Sequence, residues 1–336
     1  MSELHKFLFD GLPVRGVIVR LTDAWTEILA RRASNHHTGP YAPPVAELLG
    51  EMTAAATLMQ ANIKFNGALT LQIFGDGPVK VAVAEVQPNL GVRATASLLG
   101  DIPSGARLPE LVNVTNKGRC AISLHPKERL PGQQPYQGVV PLHGDHREKL
   151  DKLSDVLQHY MLQSEQLDTT LVLAADDQVA AGLLIQRLPV KGEANLEGAA
   201  ATGDAPGRAV HNEDEIGLNE DYNRIAILAS SLTRDELLTL DVETILRRLF
   251  WEEKLLRFEP QAGADGPRFA CTCSRERVAG MIRGLGVEEA EGILAERGNI
   301  EVGCDFCGRQ YRFDAVDAAR IFTAPGDQPP ASPLVQ

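Results

Sequence analysis

Along the first 190 positions, apolar residues fall into short alternating runs and a few helical stripes. Val14 to Leu21 is a β-rich run, and Thr22 stands where it can N-cap a helix with Trp25, Ile28 and Leu29 on one face. Pro44 suits a first helical turn, and Val45, Leu48, Leu49, Met52, Ala56 and Met59 then recur with helical spacing. Leu69, Leu71 and Ile73 alternate with polar residues, Gly75-Asp76-Gly77-Pro78 turns the chain, and Val79, Val81 and Val83 alternate back, which predicts a hairpin. Gly91–Ser97, Arg119–His125 and Gln137–Leu142 read as shorter strands. A second long helix is expected from about Arg147 to Leu167, with Leu150, Leu153, Val156, Leu157, Tyr160 and Met161 on one side. Thr169–Ala174 and Ala180–Leu188 follow as strands. No regular βαβ alternation runs through these elements, so residues 1–189 are expected to form an α+β core domain.

From Val190 to about Asp221 large apolar residues almost vanish, and Asn212-Glu213-Asp214-Glu215 is strongly acidic. Such a segment cannot bury enough surface to order itself and reads as a spacer. The clearest helix beyond it starts near Asp241 and places Val242, Ile245, Leu246, Leu249 and Phe250 on one face, which needs a surface to lie on. Residues 190–262 are therefore expected to be a flexible spacer and helical linker, and 323–336 a disordered tail. The length of 336 residues suits about two domains.

The net charge of −12 changes the list of partners. It argues against nucleic acid and against an anionic membrane surface, both of which call for a basic face. No apolar run approaches the roughly 18 residues of a membrane span, and Met1 to Gly16 has no apolar signal core. A cytoplasmic location is expected. In that reducing compartment five cysteines are no disulfide scaffold, but four of them lie within positions 271–307, which points to metal or redox chemistry.

Those four are Cys271-Thr272-Cys273 and, after thirty residues, Cys304-Asp305-Phe306-Cys307-Gly308. Paired thiolates can each bite one face of a tetrahedral Zn²⁺. Cys304 and Cys307 have the form of a zinc knuckle, with Ile300–Val302 and Tyr311–Phe313 as its hairpin strands, and Gly308 leaves room for the backbone to fold back and donate an N–H to a thiolate. Val278, Met281, Ile282 and Leu285 make one short helix ended by Gly286; Val287, Ala290, Ile293 and Leu294 make another ended by Gly298. Metal-free buried cysteines fit poorly, because so few large apolar residues cannot hold a fold without a staple. Residues 263–322 are thus expected to form a zinc domain with Cys271, Cys273, Cys304 and Cys307 as ligands, one zinc per reduced chain. A disulfide across Thr272 alone would close a strained, easily reversed ring, which favours switching.

Here the chain resembles a family, the redox-regulated thirty-three-kilodalton heat-shock chaperonins of bacteria. The resemblance lies in Cys271-Thr272-Cys273-Ser274-Arg275-Glu276-Arg277 and Cys304-Asp305-Phe306-Cys307-Gly308. It extends to Phe9-Asp10-Gly11-Leu12-Pro13-Val14-Arg15-Gly16, Leu71-Gln72-Ile73-Phe74-Gly75-Asp76-Gly77-Pro78 and Ser164-Glu165-Gln166. What it implies is an α+β core, a helical linker and a C-terminal zinc domain acting as an ATP-independent holdase for unfolding or oxidatively damaged clients. The reduced, zinc-bound form would be inactive. Oxidation would pair Cys271 with Cys273 and Cys304 with Cys307, release zinc and activate a homodimer, and clients would pass to ATP-driven foldases. The spacer at 190–221 is longer than the family's usual one.

Other residues invite blander readings. Cys120 sits in an apolar strand and is expected to be an inert buried thiol. His143 and His146 near Asp145, and His36-His37 beside Gly39-Pro40, read as loops. Gly75-Asp76-Gly77 is a turn, no Gly-Lys dipeptide exists to build a phosphate-binding loop, and helix packing accounts for Ser164-Glu165-Gln166. Two rivals to the holdase are weighed. A zinc module for nucleic acid is disfavoured by the net negative charge of 271–314, and a thiol–disulfide oxidoreductase lacks a thioredoxin-like βαβ context around Cys304 and Cys307.

Overall fold

The computed structural model describes residues 1–35, 38–128, 136–188 and 219–323. His36-His37, most of the expected spacer and all but the first residue of the expected tail lie outside the described residues. The chain divides into two compact units, one of Met1–Ala30 with Pro40–Ala270, the other of Arg31–Gly39 with the segment from Cys271 onward.

In the first unit the elements run β1 (Glu3–Phe9), β2 (Val14–Leu21), α1 (Asp23–Ala33), α2 (Pro43–Asn62), β3 (Gly67–Phe74), β4 (Val79–Val86), β5 (Gly91–Leu98), α3 (Leu108–Val112), β6 (Arg119–Pro126), β7 (Tyr136–Pro141), α4 (Leu153–Glu165), β8 (Thr169–Ala175) and β9 (Ala180–Arg187). After residue 218 come α5 (Glu220–Ser230), α6 (Arg234–Thr239), α7 (Val242–Phe250), β10 (Leu255–Arg257), β11 (Gln261–Ala262) and β12 (Arg268–Phe269). One sheet has the order β10-β1-β2-β9-β8 with β11 also on β1, the other β12-β5-β4-β3-β6-β7. Every pairing is antiparallel except β12 beside β5. This is the α+β architecture expected.

Helix α2 explains how the two sheets share a core. It is buried nearly all round, from Val45 to Gln60, and a helix apolar on every side must lie inside the protein. Gly50 permits the close approach: a Cβ there would stand 2.4 Å from that of Ala175. Strand β9 is buried on both faces. Ala180 and Leu184 face the α2 core, while Ala181, Leu183 and Ile185 join a second cluster with Phe7, Phe9 and helices α5 to α7. The apolar face of α7 finds its surface there, with the Phe250 ring edge-on to Phe9 at 5.0 Å. Arg20 donates to the carbonyls of Leu237, Leu238 and Leu240, tying the end of α6 to β2.

Two local expectations need correction. Helix α4 starts at Leu153 and not at Arg147, because Arg147 adopts φ +63° in a turn closed by Gly144 and Glu148. Strand β1 had no clear signal in the sequence. Its Leu4 faces one cluster and Phe7 and Phe9 the other, while Lys6 interrupts the run.

The second unit holds α8 (Arg275–Leu285), α9 (Val287–Arg297), the hairpin β13 (Ile300–Gly303) and β14 (Gln310–Phe313), and α10 (Ala315–Phe322). Its core is small: Val278, Ile282, Ala290, Ile300, Tyr311, Phe313, Ala318 and Ile321. Gly286 and Gly298 end α8 and α9 at positive φ, as the sequence indicates. The apolar stripe of α8 is only half used, because Met281 and Leu285 are each 51% exposed.

Candidate metal centre

Two loops bring four thiols together. Cys271 and Cys273 lie in the extended segment before α8, which Ser274 N-caps by accepting from the Arg277 N–H at 3.3 Å. Arg277 reaches back to the Thr272 carbonyl (3.0 Å) and hydroxyl (2.7 Å), fixing the residue between the two thiols. Cys304 and Cys307 occupy the turn between β13 and β14. There the Cys304 N–H donates to Arg309 O (2.9 Å) and the Gly308 N–H to Cys304 O (2.8 Å), with Gly308 at φ +72°. The backbone N–H groups that reach thiols are those of Phe306 and Cys307, to Cys304, and of Arg309, to Cys307.

All four Sγ atoms lie within 4.8 Å of one another. Across the pairs, Cys271 and Cys304 lie 3.6 Å apart and Cys273 and Cys307 3.3 Å. Tetrahedral zinc with ligands at about 2.3 Å sets its sulfurs roughly 3.8 Å apart, so the donor set and its size fit a metal ion. Among the described residues no other group of His, Cys, Asp or Glu converges in this way.

The thiols are not equivalent. Burial works against ionisation of Cys273, but hydrogen bonds from Tyr311 and the neighbouring thiols outweigh it and hold the group down at about 7. Burial raises Cys304 and Cys307 above the usual thiol range. Tyr311 is the residue the sequence reading missed. It was a strand position only, yet its hydroxyl donates to Cys273 Sγ at 3.1 Å. Arg275 was missed as well: it lies 4.2 Å over the Phe313 ring, bonds Arg312 O and pairs with Asp317 at 2.7 Å, closing α8 onto the hairpin and α10. Its place in the Cys271–Arg277 string was the available signal.

The remaining candidates have structural roles. Cys120 is fully buried in β6, and burial pushes its thiol up to about 12. His143 bonds Gly144 O, and Asp145 lies 3.5 Å from His159. Asp76 accepts from the Thr115 and Lys117 backbone, pinning the hairpin turn to the next loop. Glu165 accepts from Tyr136 (2.8 Å) and Tyr160 (2.7 Å), and Gln166 ends α4 at φ +54°.

The fold and site define a chain in two parts, an α+β body and a small four-cysteine module able to hold a metal ion. The chain belongs to the Hsp33 family: residues 2–314 match the family described as Hsp33 protein. The 33 kDa chaperonin of Chromobacterium violaceum is 42% identical over 321 residues, 96% of this chain and 94% of that one. That of Methylobacillus flagellatus is 39% identical over 323 residues, again 96% and 94%. The crystal structure of the 33 kDa chaperonin of Thermotoga maritima shares the fold, with a TM-score of 0.67 over 95% of this chain and 97% of that one at 19% identity. Those relatives are named chaperonins, a function that is not enzymatic. No helix among the described residues is long and apolar enough to cross a membrane.

Proposed function

We propose that the chain is a cytoplasmic, redox-switched holdase whose four-cysteine unit is the switch. The observation that carries this reading is the contrast between four converging thiols and a core of only eight buried residues around them. A core of this size rarely supplies more than about 3–5 kcal/mol. Zinc bound to the four thiolates supplies an apparent 10–16 kcal/mol at neutral pH. The fold of the second unit therefore depends on Cys271, Cys273, Cys304 and Cys307 staying reduced.

Each cysteine pair then responds to oxidant as a unit. Two thiolates of a pair give up two electrons and join as a disulfide, and a peroxide takes those electrons together with two protons from the solvent to become two waters. We assign the pairs as Cys271–Cys273 and Cys304–Cys307. A disulfide sulfur is a poor metal donor, so oxidation removes all four ligands and the unit's main source of stability with them. The apolar side chains of α8, α9 and the hairpin become accessible to clients. Activation proceeds to a homodimer. Reduction and metal rebinding restore the unit, and a client then passes to an ATP-driven foldase.

The experiment compares aggregation of a heat-unfolded enzyme with reduced, zinc-loaded chain and with oxidised chain, without nucleotide, while disulfides are mapped. The oxidised form should suppress aggregation and the reduced form should not, with both disulfides local and Cys120 free. Equal protection by the two forms would overturn the switch. Dominant Cys271–Cys304 or Cys273–Cys307 bonds would overturn the pairing, and the short cross-pair approaches make that outcome measurable.

A further inference from the structure

Two of the strings that carry the family resemblance play no part in the switch, and both meet at one cavity of the first unit. Arg15 comes from the Phe9–Gly16 string and Glu165 from Ser164-Glu165-Gln166, and both line a cavity of about 260 Å³. Its walls come from β2 and β9 of one sheet, β3, β6 and β7 of the other, and the C-terminal turns of α2 and α4. The volume is just below the roughly 300–1,000 Å³ typical of sites for drug-sized ligands, which suits a small amphiphile.

The polar groups select its charge. Arg15 is paired with Gln186 across β2 and β9. Its Nε and Nη2 donate to Gln186 Oε1, and its Nη1 donates to the Asn62 carbonyl at 3.2 Å. Gln186 Oε1 also accepts from Asn62 Nδ2 at 2.9 Å. Every one of these acceptors is a neutral amide oxygen, and among the described residues no carboxylate lies within ion-pair distance of Arg15. A guanidinium carries five N–H groups, so two have no acceptor among the described residues. The carboxylate that does line the cavity, Glu165, is engaged by the hydroxyls of Tyr136 and Tyr160. A half-buried cation held only by amide dipoles, beside an apolar wall, is a place where an anion is favoured.

We propose that this cavity binds a linear, medium-chain monocarboxylate, its head on Arg15 and its chain along Met59, Leu124 and Met161. No residue of the cysteine centre lines the cavity, and the test does not depend on holdase activity.

The test uses the full-length reduced chain with ¹³C-methyl-labelled methionine, titrated with octanoate, octanol and octylamine. Met59 and Met161 line the cavity, whereas Met281 on α8 is exposed and reports non-specific association. Octanoate should shift the Met59 and Met161 methyl signals, leave Met281 unmoved, and bind at least tenfold more tightly than octanol. Arg15→Gln should reduce octanoate to the octanol level while octanol itself is unaffected. Equal binding of octanoate and octanol, tighter binding of octylamine, or no shift at Met59 and Met161 at millimolar ligand would each overturn the proposal. The three-ligand comparison on the unaltered chain decides the matter even if Arg15→Gln does not fold.

Discussion

Trp25, Leu49, Met52 and Leu58 are wholly enclosed in the first unit, where two sheets share one buried helix. The second unit gathers eight buried residues, two of them alanines, and leaves Met281, Leu285, Val287 and Val316 about half exposed or more. Small folds bury a lower fraction of their surface than large ones, and one of this size falls where metals or disulfides usually make up the difference. On the proposed function the two parts of the chain have different sources of stability: one rests on hydrophobic area that no oxidant touches, the other on four thiols that an oxidant would consume. A redox signal would then act on one part and leave the other standing.

The largest effect expected from breaking this contrast is at a ligand. Cys304→Ser should forfeit most of the roughly 10–16 kcal/mol tied to the centre. Amide protection in the β13–β14 hairpin should collapse while that in α2 persists, as hydrogen exchange would show. Equal protection of the hairpin in both proteins would mean that its core is self-sufficient.

Trp25→Ala probes the other side. Trp25 is fully buried, and its Nε1 donates to Asp176 O at 2.8 Å. Removing it should cost the first unit about 3–5 kcal/mol in denaturant unfolding. Zinc stoichiometry should stay the same, and a change in it would show that the two sources of stability are not separable.

A smaller effect separates the units by pH. Burial, and then the charge of Glu47, raises Glu51 in α2 to about 7 from an ordinary 4.5, with Arg234 and Lys152 opposing. Between those values the folded chain binds the proton more tightly than the unfolded one, so stability falls as pH rises through the window. Above about 7 the full cost of the buried charge is present; below about 4.5 it is absent. Glu51→Gln should therefore stabilise the first unit by about 3 kcal/mol at pH 8 and by almost nothing near pH 4.5. A pH-independent gain in the melting temperature would assign the effect to packing.

How far the sequence disclosed this molecule depends on what each signal needed. The hairpin of β3 and β4 was plain from its two period-two runs and the turn between them, but the buried face of β4 was not: a bulge between Val79 and Val81 leaves Val81 and Val83 half-buried and turns Ala82, Ala84 and Val86 into the core. The four thiols were plain because ligand spacing is local. β1 was not, since Leu4 faces one cluster and Phe7 and Phe9 the other, with His5 and Lys6 interrupting the apolar run between them. β10 to β12 are two or three residues each and are held by the strands they join. The hydroxyl of Tyr311 on Cys273 was equally hidden, because it depends on the register of β14 against β13 and on a partner 38 residues away. Short-range chemistry was readable. Contacts made by the return of the chain were not.

Hydrogen exchange across the whole chain, with zinc release measured in the same samples before and after peroxide, tests the switch most directly. One zinc should be released per chain, with loss of amide protection in α8, α9, β13 and β14 and unchanged protection in α2 and β9. Zinc retained after both disulfides have formed, or a second unit still protected without it, would contradict the claim that four thiols hold that unit together.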